Sequence, residues 1–479
     1  MVLKQLPIVD SRINYFSKKF FYREIISFKE PESQMLSKNK IIIKCLFFYF
    51  LSFFLPISTS HSMDLLDERR LGNVVLQSIW NSKSIISDIE SQIYIKELGQ
   101  DLVKKSNQPL RHFDFFLLAD KSVNAFASWN GYIGVHDALV LFSDNESELA
   151  AILAHEISHI TQDHLKRFHD KSSKQRILTI GGLIASVLVK NSEVTKAIVH
   201  TSIANDMQNQ INYTREHEWE ADNFSMNLLE RTDFNVNGLG DFFERMQSDK
   251  SSTDYLRTHP LNVDRIANSQ SRARNFKRTH NSSFDYETLK IRLLNTQSTN
   301  YEDHKLDLYS KAYKSFTNDR VQEASNHIED LLKIKGDFSS LILAGRIFGK
   351  LKQEKKSEDF FELAKKYRNN EVVRYFQSKM YLNNNKPLKA IKILKSPSKM
   401  GISSVLSENL LAEAYLRISE QDRYQFHRGA AELLKGNFEK ATEHFYLAKN
   451  LTQSQDFYDI VNSIIKSAEE EWKILEFRD

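Results

Sequence analysis

The stretch His155-Glu156-Ile157-Ser158-His159 narrows what this chain can fold into more than any other. It reads H-E-x-x-H. On an α-helix, positions i and i+4 lie on one face, one turn apart. Two imidazoles there can meet one zinc ion at about 2.0–2.1 Å each. Glu156 then sits where its carboxylate can take a proton from a water held at the metal. The surrounding residues specify a helix. Asn145 is a candidate N-cap, with Glu148 three residues on as in a capping box. Leu149, Ile152, Leu153, Ile157 and Ile160 recur at helical spacing, with Ala150, Ala151 and Ala154 between them. The competing reading is an amphipathic helix on which the motif has no chemical role, so the rest of the chain has to decide.

A zinc hydrolase needs a third protein ligand and one open position. One known pattern places a third His six residues after the second, behind a Gly turn. Here Leu165 and Gln162 occupy those places, so His164 and His169 read as ordinary polar-face residues. The alternative is a carboxylate from a later helix. In Arg215-Glu216-His217-Glu218-Trp219-Glu220-Ala221-Asp222, Glu218 and Asp222 share a face. Glu218 can bind the metal while Asp222 holds a ligand imidazole in one tautomer. Glu216 and Glu220 form a competing i, i+4 pair that spacing alone does not exclude.

The combination resembles the family-48 zinc metallopeptidases, which carry H-E-x-x-H followed by R-x-x-E-x-x-A-D. Arg215, Glu218, Ala221 and Asp222 match that signature, and the resemblance selects Glu218 over its neighbours. It implies one zinc per chain on His155, His159 and Glu218, with Glu156, Asp222 and His259 as the catalytic set. His259 comes from Thr258-His259-Pro260, which with Arg265 is similar to an H-P-x-x-x-x-R segment near the zinc in this family. There His259 can close the metal at rest or act on substrate, and Arg265 can hold the loop or a substrate carbonyl. Asn124 matches a cleft Asn of the family, or is a plain turn residue. The resemblance also implies that an edge strand of a small sheet pairs with the peptide substrate, a mode that reads main-chain groups.

Composition bounds the remainder. The formal charge of +4 belongs to the leader: residues 1–62 hold nine Lys/Arg and four Asp/Glu, and without them the net charge is −1. That gives no case for nucleic-acid binding. Lys38, Lys40 and Lys44, the apolar run Cys45–Leu55 and Ser60-His61-Ser62 read as a secretory signal peptide, with cleavage expected before Met63. An uncleaved anchor is the alternative, and Met35 is a second candidate start. The only Cys, Cys45, falls in this segment, so the mature chain has no thiolate ligand and no disulfide. Residues 177–189 form an apolar run too short to span a bilayer, read as a buried helix or as a peripheral membrane contact.

The expected order is helices at Asp64–Trp80 and Ser87–Lys104, short strands at His112–Leu118 and Tyr132–His136, and then the motif helix. A polar linker at 275–282 precedes an all-helical half. Ala324, Ser357 and Ala390 recur every 33 residues, close to the tetratricopeptide period, with an unpaired helix expected at Ser404–Ile418. The fold class is therefore mainly α, an α+β metallopeptidase domain with a small sheet followed by an α-solenoid. Residues 1–62 are the extension and signal peptide, 63–275 the metallopeptidase domain and 283–479 the repeats. Deleting the repeats from about Asp285 is expected to leave a folded zinc domain. By resemblance the chain is a periplasmic zinc endopeptidase. Its partners are unfolded or misassembled outer-membrane proteins and the outer-membrane barrel assembly machinery. A chaperone or adaptor with a latent or structural zinc site is the rival.

Overall fold

The computed structural model describes residues 65–170, 207–248, 253–274, 282–294, 301–395 and 404–475. The signal-peptide segment, the apolar run 177–189 and nearly all of the 275–282 linker lie outside the described residues. Among the described residues, no helix is long and apolar enough to cross a membrane.

Helix α1 (Leu65–Asn81) and helix α2 (Ile89–Lys105) lead into strands β1 (Asp114–Leu118), β2 (Ala125–Ala127) and β3 (Tyr132–His136). The sheet order is β1-β3-β2. β1 runs parallel to β3 with Asp114 opposite Tyr132, and β2 runs antiparallel with Ala125 opposite Val135. Gly131 makes the turn into β3 at φ +77°, where a Cβ would sit 1.8 Å from the His112 carbonyl oxygen. The strand β2 is only Ala-Phe-Ala and was not expected from its sequence.

After α3 (Asp137–Phe142) comes the motif helix α4 (Glu146–Thr161). Asn145 caps it, its side chain accepting from the Glu148 amide at 3.1 Å. Glu148 accepts in turn from the amide of Asp144 at 2.9 Å, one residue earlier than in a regular capping box. Leu149 through Ala154 and Ile157 are wholly buried. A helix covered on nearly every side is a core element, and its three alanines let neighbours approach closely. Those neighbours include α6 (Met207–Leu229) and α7 (Gly238–Ser248). A short α5 (His164–Asp170) follows α4, and α8 (Thr253–Thr258) and α9 (Val263–Ala273) complete this half.

Helix α10 (Phe284–Leu294) seats the rest of the chain on this core. Tyr286 Oη and Lys290 Nζ donate to the Ser143 carbonyl at 2.8 and 2.7 Å, and the Ser283 amide donates to Glu146 at 2.8 Å. Arg292 is buried and donates to Glu90 at 3.0 Å and Asp88 at 3.1 Å. Ile89 and Ile93 share a core with Phe338, Leu341 and Phe361, so the apolar interior runs from α2 into the later helices.

Those helices alternate. One set comprises α11 (His304–Thr317), α13 (Phe338–Lys350), α15 (Glu371–Asn383), α17 (Val405–Arg417) and α19 (Phe438–Leu451). Its partners are α12 (Val321–Ile334), α14 (Glu354–Tyr367), α16 (Pro387–Leu394), α18 (Gln421–Leu434) and α20 (Gln455–Leu475). Ala324, Ser357 and Ala390 fall on α12, α14 and α16 and are fully buried. Close crossing explains small residues there: a Cβ on Gly345 would lie 2.6 Å from the Phe361 ring. The helix expected to stand unpaired, α17, packs on both α16 and α18. The small residues Gly429 and Ala441 mark the close crossing of α18 with α19, where a Cβ on Gly429 would lie 2.7 Å from the Phe445 ring. The end of the array rests on α1, the first described helix: Arg69 pairs with Glu471, and Gln77 Nε2 donates to the Gly436 carbonyl at 2.7 Å.

Candidate metal centre

His155 and His159 project from one face of α4, and Glu218 reaches them from α6. His259 joins from the residue after α8. One donor atom from each of these four side chains lies within 4.8 Å of all the others. The separations are specific. His155 Nε2 is 3.0 Å from His159 Nε2 and 3.3 Å from both Glu218 Oε2 and His259 Nδ1. His159 Nε2 is 3.4 Å from Glu218 Oε1, and His259 Nδ1 is 3.2 Å from Glu218 Oε2. Ligands at about 2.0–2.1 Å from a tetrahedral ion stand about 3.3–3.4 Å apart. The donor set therefore fits a small divalent metal, with three nitrogens and a carboxylate at the corners.

Asp222, one turn after Glu218, lies 3.0 Å from His155 Nδ1. Arg265 from α9 grips Asp222 with two bonds of 2.6 and 2.8 Å, stands 3.1 Å from Glu218 and donates to the Pro260 carbonyl at 2.8 Å. Arg265 thus holds both the loop and the carboxylates, the first of the two roles open to it. Burial pushes the His155 imidazole down, but its contacts with Asp222 and Glu218 outweigh that, and its pKa is raised to about 9. Burial likewise opposes charge on Glu218, yet the surrounding imidazoles hold it well below the usual carboxylate range. An ionised carboxylate among crowded imidazoles favours a cation over separate protons.

Glu156 is wholly buried, and neither carboxylate oxygen has a hydrogen-bond partner among the described residues. Such a group costs free energy unless something else is meant to meet it. His259 Nε2 lies 3.4 Å from Glu156 Oε1, so the ring stands between the carboxylate of Glu218 and that of Glu156. Asn124 is buried at the head of β2, and its side-chain oxygen accepts from Thr258 at 3.4 Å, beside the His259 turn.

Two features escape a reading by sequence spacing. His164 is not an ordinary polar-face residue: it is buried, and its Nδ1 is 2.8 Å from His159 Nδ1. Burial pushes its pKa down to about 4, leaving it neutral at physiological pH. Glu220 does not reach the donor cluster; it accepts from Arg167 at 2.5 Å and meets His164 at 3.2 Å. The other feature is Tyr255, fully buried, whose ring stacks on His259 at 4.7 Å. The tandem of basic and acidic residues around Glu220 was the only sequence signal for the first. Nothing marked the second.

Known proteins share parts of this sequence. The model of peptidase family M48 matches residues 90–273. A Vibrio cholerae protein named as a candidate beta-barrel assembly-enhancing protease is 34% identical over 250 residues, 51% of this chain and 52% of its own. The beta-barrel assembly-enhancing protease of Escherichia coli K12 is 28% identical over 410 residues, 80% of this chain and 84% of its own. The metalloprotease YcaL of the same organism is 28% identical over 155 residues, 31% of this chain and 58% of its own. The match therefore spans about half the length of the Vibrio relative and most of the Escherichia one. With its H-E-x-x-H helix and Glu218 brought to one point, the stretch 90–273 of this chain matches a peptidase family M48 domain and carries the donor cluster expected of a metalloprotease.

Proposed function

We propose that the chain is a zinc-dependent endopeptidase of the periplasm that acts on outer-membrane β-barrel proteins failing assembly. The helical repeats, of tetratricopeptide type, would dock the client or the barrel assembly machinery. The observation that carries the chemistry is the buried carboxylate of Glu156, without a hydrogen-bond partner among the described residues, beside the four-donor cluster. The relatives named for β-barrel assembly point to the client class.

His155, His159 and Glu218 would hold the metal, which supplies Lewis-acid polarisation of the scissile carbonyl and acidifies a water. Everything else falls to the chain. Glu156 takes the proton from the attacking water and returns it to the leaving amine. Its burial keeps bulk water from competing for that proton. Asp222 fixes His155 in the tautomer that presents Nε2, and Arg265 fixes Asp222. The edge strand β2 offers main-chain groups to an extended substrate, a mode that tolerates varied side chains.

His259 acts as a latch. Its Nδ1 completes the donor set while its Nε2 faces Glu156, so the ring occupies the space a water needs. A centre closed by four protein donors hydrolyses nothing. The same closed set favours a second reading, a chaperone or adaptor whose metal is structural. The two separate cleanly on an unfolded outer-membrane β-barrel protein. An endopeptidase cleaves it and is stopped by a chelator, whereas an adaptor only keeps it soluble, with or without chelator.

A further inference from the structure

A second cluster lies beside the donor set and is not used by the chemistry above. Helix α4 ends at Thr161, and the chain turns through Asp163 at φ +54°. That left-handed residue swings His164, the first residue of α5, back against the helix it has just left. His164 Nδ1 is then 2.8 Å from Nδ1 of His159, on the side of that ring away from the donor cluster. Its other nitrogen, Nε2, is 3.2 Å from Glu220 Oε2, and Arg167 donates to the same oxygen at 2.5 Å. His217, from the same helix as Glu220, stacks flat on the His164 ring at 4.2 Å and 4°. His164 is 4% exposed, so water does not share these contacts freely.

The proton positions follow from the contacts. If His159 turns Nε2 to a metal, its one proton sits on Nδ1 and must be donated. His164 Nδ1 then accepts, which leaves the proton of neutral His164 on Nε2, pointing at Glu220. One direction of donation satisfies all three groups, from His159 to His164 to Glu220. Glu220 stays ionised because Arg167 faces it.

We propose that His164 is a positioning residue that fixes the tautomer and tilt of the metal ligand His159, with Glu220 and Arg167 as its anchor. The chain then supports its two motif histidines in unlike ways. His155 leans directly on Asp222, buried and clamped by Arg265. His159 leans on an imidazole relay that ends at a partly exposed pair, with side-chain exposures of 41% for Arg167 and 25% for Glu220. The second support is the softer, and loss of the metal begins on the His159 side. This rests on the proposed zinc reading of the cluster.

The test is zinc competition against a chromophoric chelator on the full chain, with His164→Leu, His164→Asn and Glu220→Gln beside the wild type. The amide oxygen of the Asn variant stands where Nδ1 stood and can still accept. His164→Leu is expected to bind zinc about 10–100-fold more weakly. His164→Asn should stay close to wild type, and Glu220→Gln should fall between them. Histidine-selective nitrogen NMR of the zinc-loaded wild type should find His164 protonated on Nε2. Wild-type affinity in His164→Leu overturns the proposal, as does equal loss in the Leu and Asn variants, which would mean packing alone. A proton on His164 Nδ1 overturns it as well. Should His164→Leu fail to fold, Glu220→Gln and the tautomer decide. A wild-type chain that binds no zinc would instead overturn the zinc reading itself.

Discussion

Arg265→Met removes the guanidinium that clamps the candidate centre while keeping an apolar chain over Phe243, whose ring lies 4.7 Å from the Arg265 Cζ. Four contacts go with it: two to Asp222, one to Glu218 and one to the Pro260 carbonyl. Asp222 and Glu218 are each 2% exposed, so both carboxylates are left buried beside one another. Removing one partner of a buried ion pair costs about 3–5 kcal/mol. Because His155 still faces both acids, the lower half of that range applies to the metal-free chain. Asp222→Asn on the same background removes one of these two buried charges. The double variant should then lose only about 1–3 kcal/mol, the scale of lost hydrogen bonds to charged groups. Urea unfolding in the presence of chelator, followed by the fluorescence of buried Trp129, measures all four corners of this cycle. A loss below about 1 kcal/mol in Arg265→Met, or a double variant as unstable as the single, would refute the clamp.

Three further outcomes are expected. His259→Ala should raise basal proteolysis and self-cleavage, read on gels of the purified chain over time; lower activity toward every substrate would mean that His259 serves the reaction and not the latch. Truncation before Ser283 strips Arg292 from Glu90 and bares Ile89 and Ile93, so the shortened chain should aggregate on size-exclusion chromatography; a soluble, zinc-loaded monomer would show that the shared core is dispensable. Free zinc at 100 times its dissociation constant should stabilise the chain by about 2.7 kcal/mol over chelator-treated protein, seen as a higher melting temperature, whereas equal melting in both conditions would count against a metal centre.

The residues at the centre were legible because helices impose periodicity. His155 and His159 are one turn apart on α4, and Glu218 and Asp222 one turn apart on α6, so each pair had to share a face. Glu218 and Glu220 differ by two positions and point different ways, which spacing could not decide. What stayed hidden depends on single backbone turns. His164 reaches His159 only because Asp163 adopts a left-handed conformation, a choice Asp tolerates but does not announce. Strand β2 is three residues long and has no alternation to detect. The expectation of an independent zinc domain did not foresee a shared interior, because Arg292 and Ile89 sit far apart in sequence yet lie at one seam, and the truncation above tests it. In the repeats, Ala324, Ser357 and Ala390 marked real crossings. Gly429 and Ala441 likewise marked the close crossing of α18 with α19, where a Cβ on Gly429 would lie 2.7 Å from the Phe445 ring.

The most direct measurement is metal content and peptide hydrolysis of the purified chain, compared with Glu156→Gln. Glu156 is a base and not a ligand in this account, so both forms should carry one zinc per chain. Hydrolysis of an unfolded substrate should fall by about 10²–10⁴-fold or more in the variant. Zinc absent from the wild type, or hydrolysis undiminished in Glu156→Gln, would contradict it.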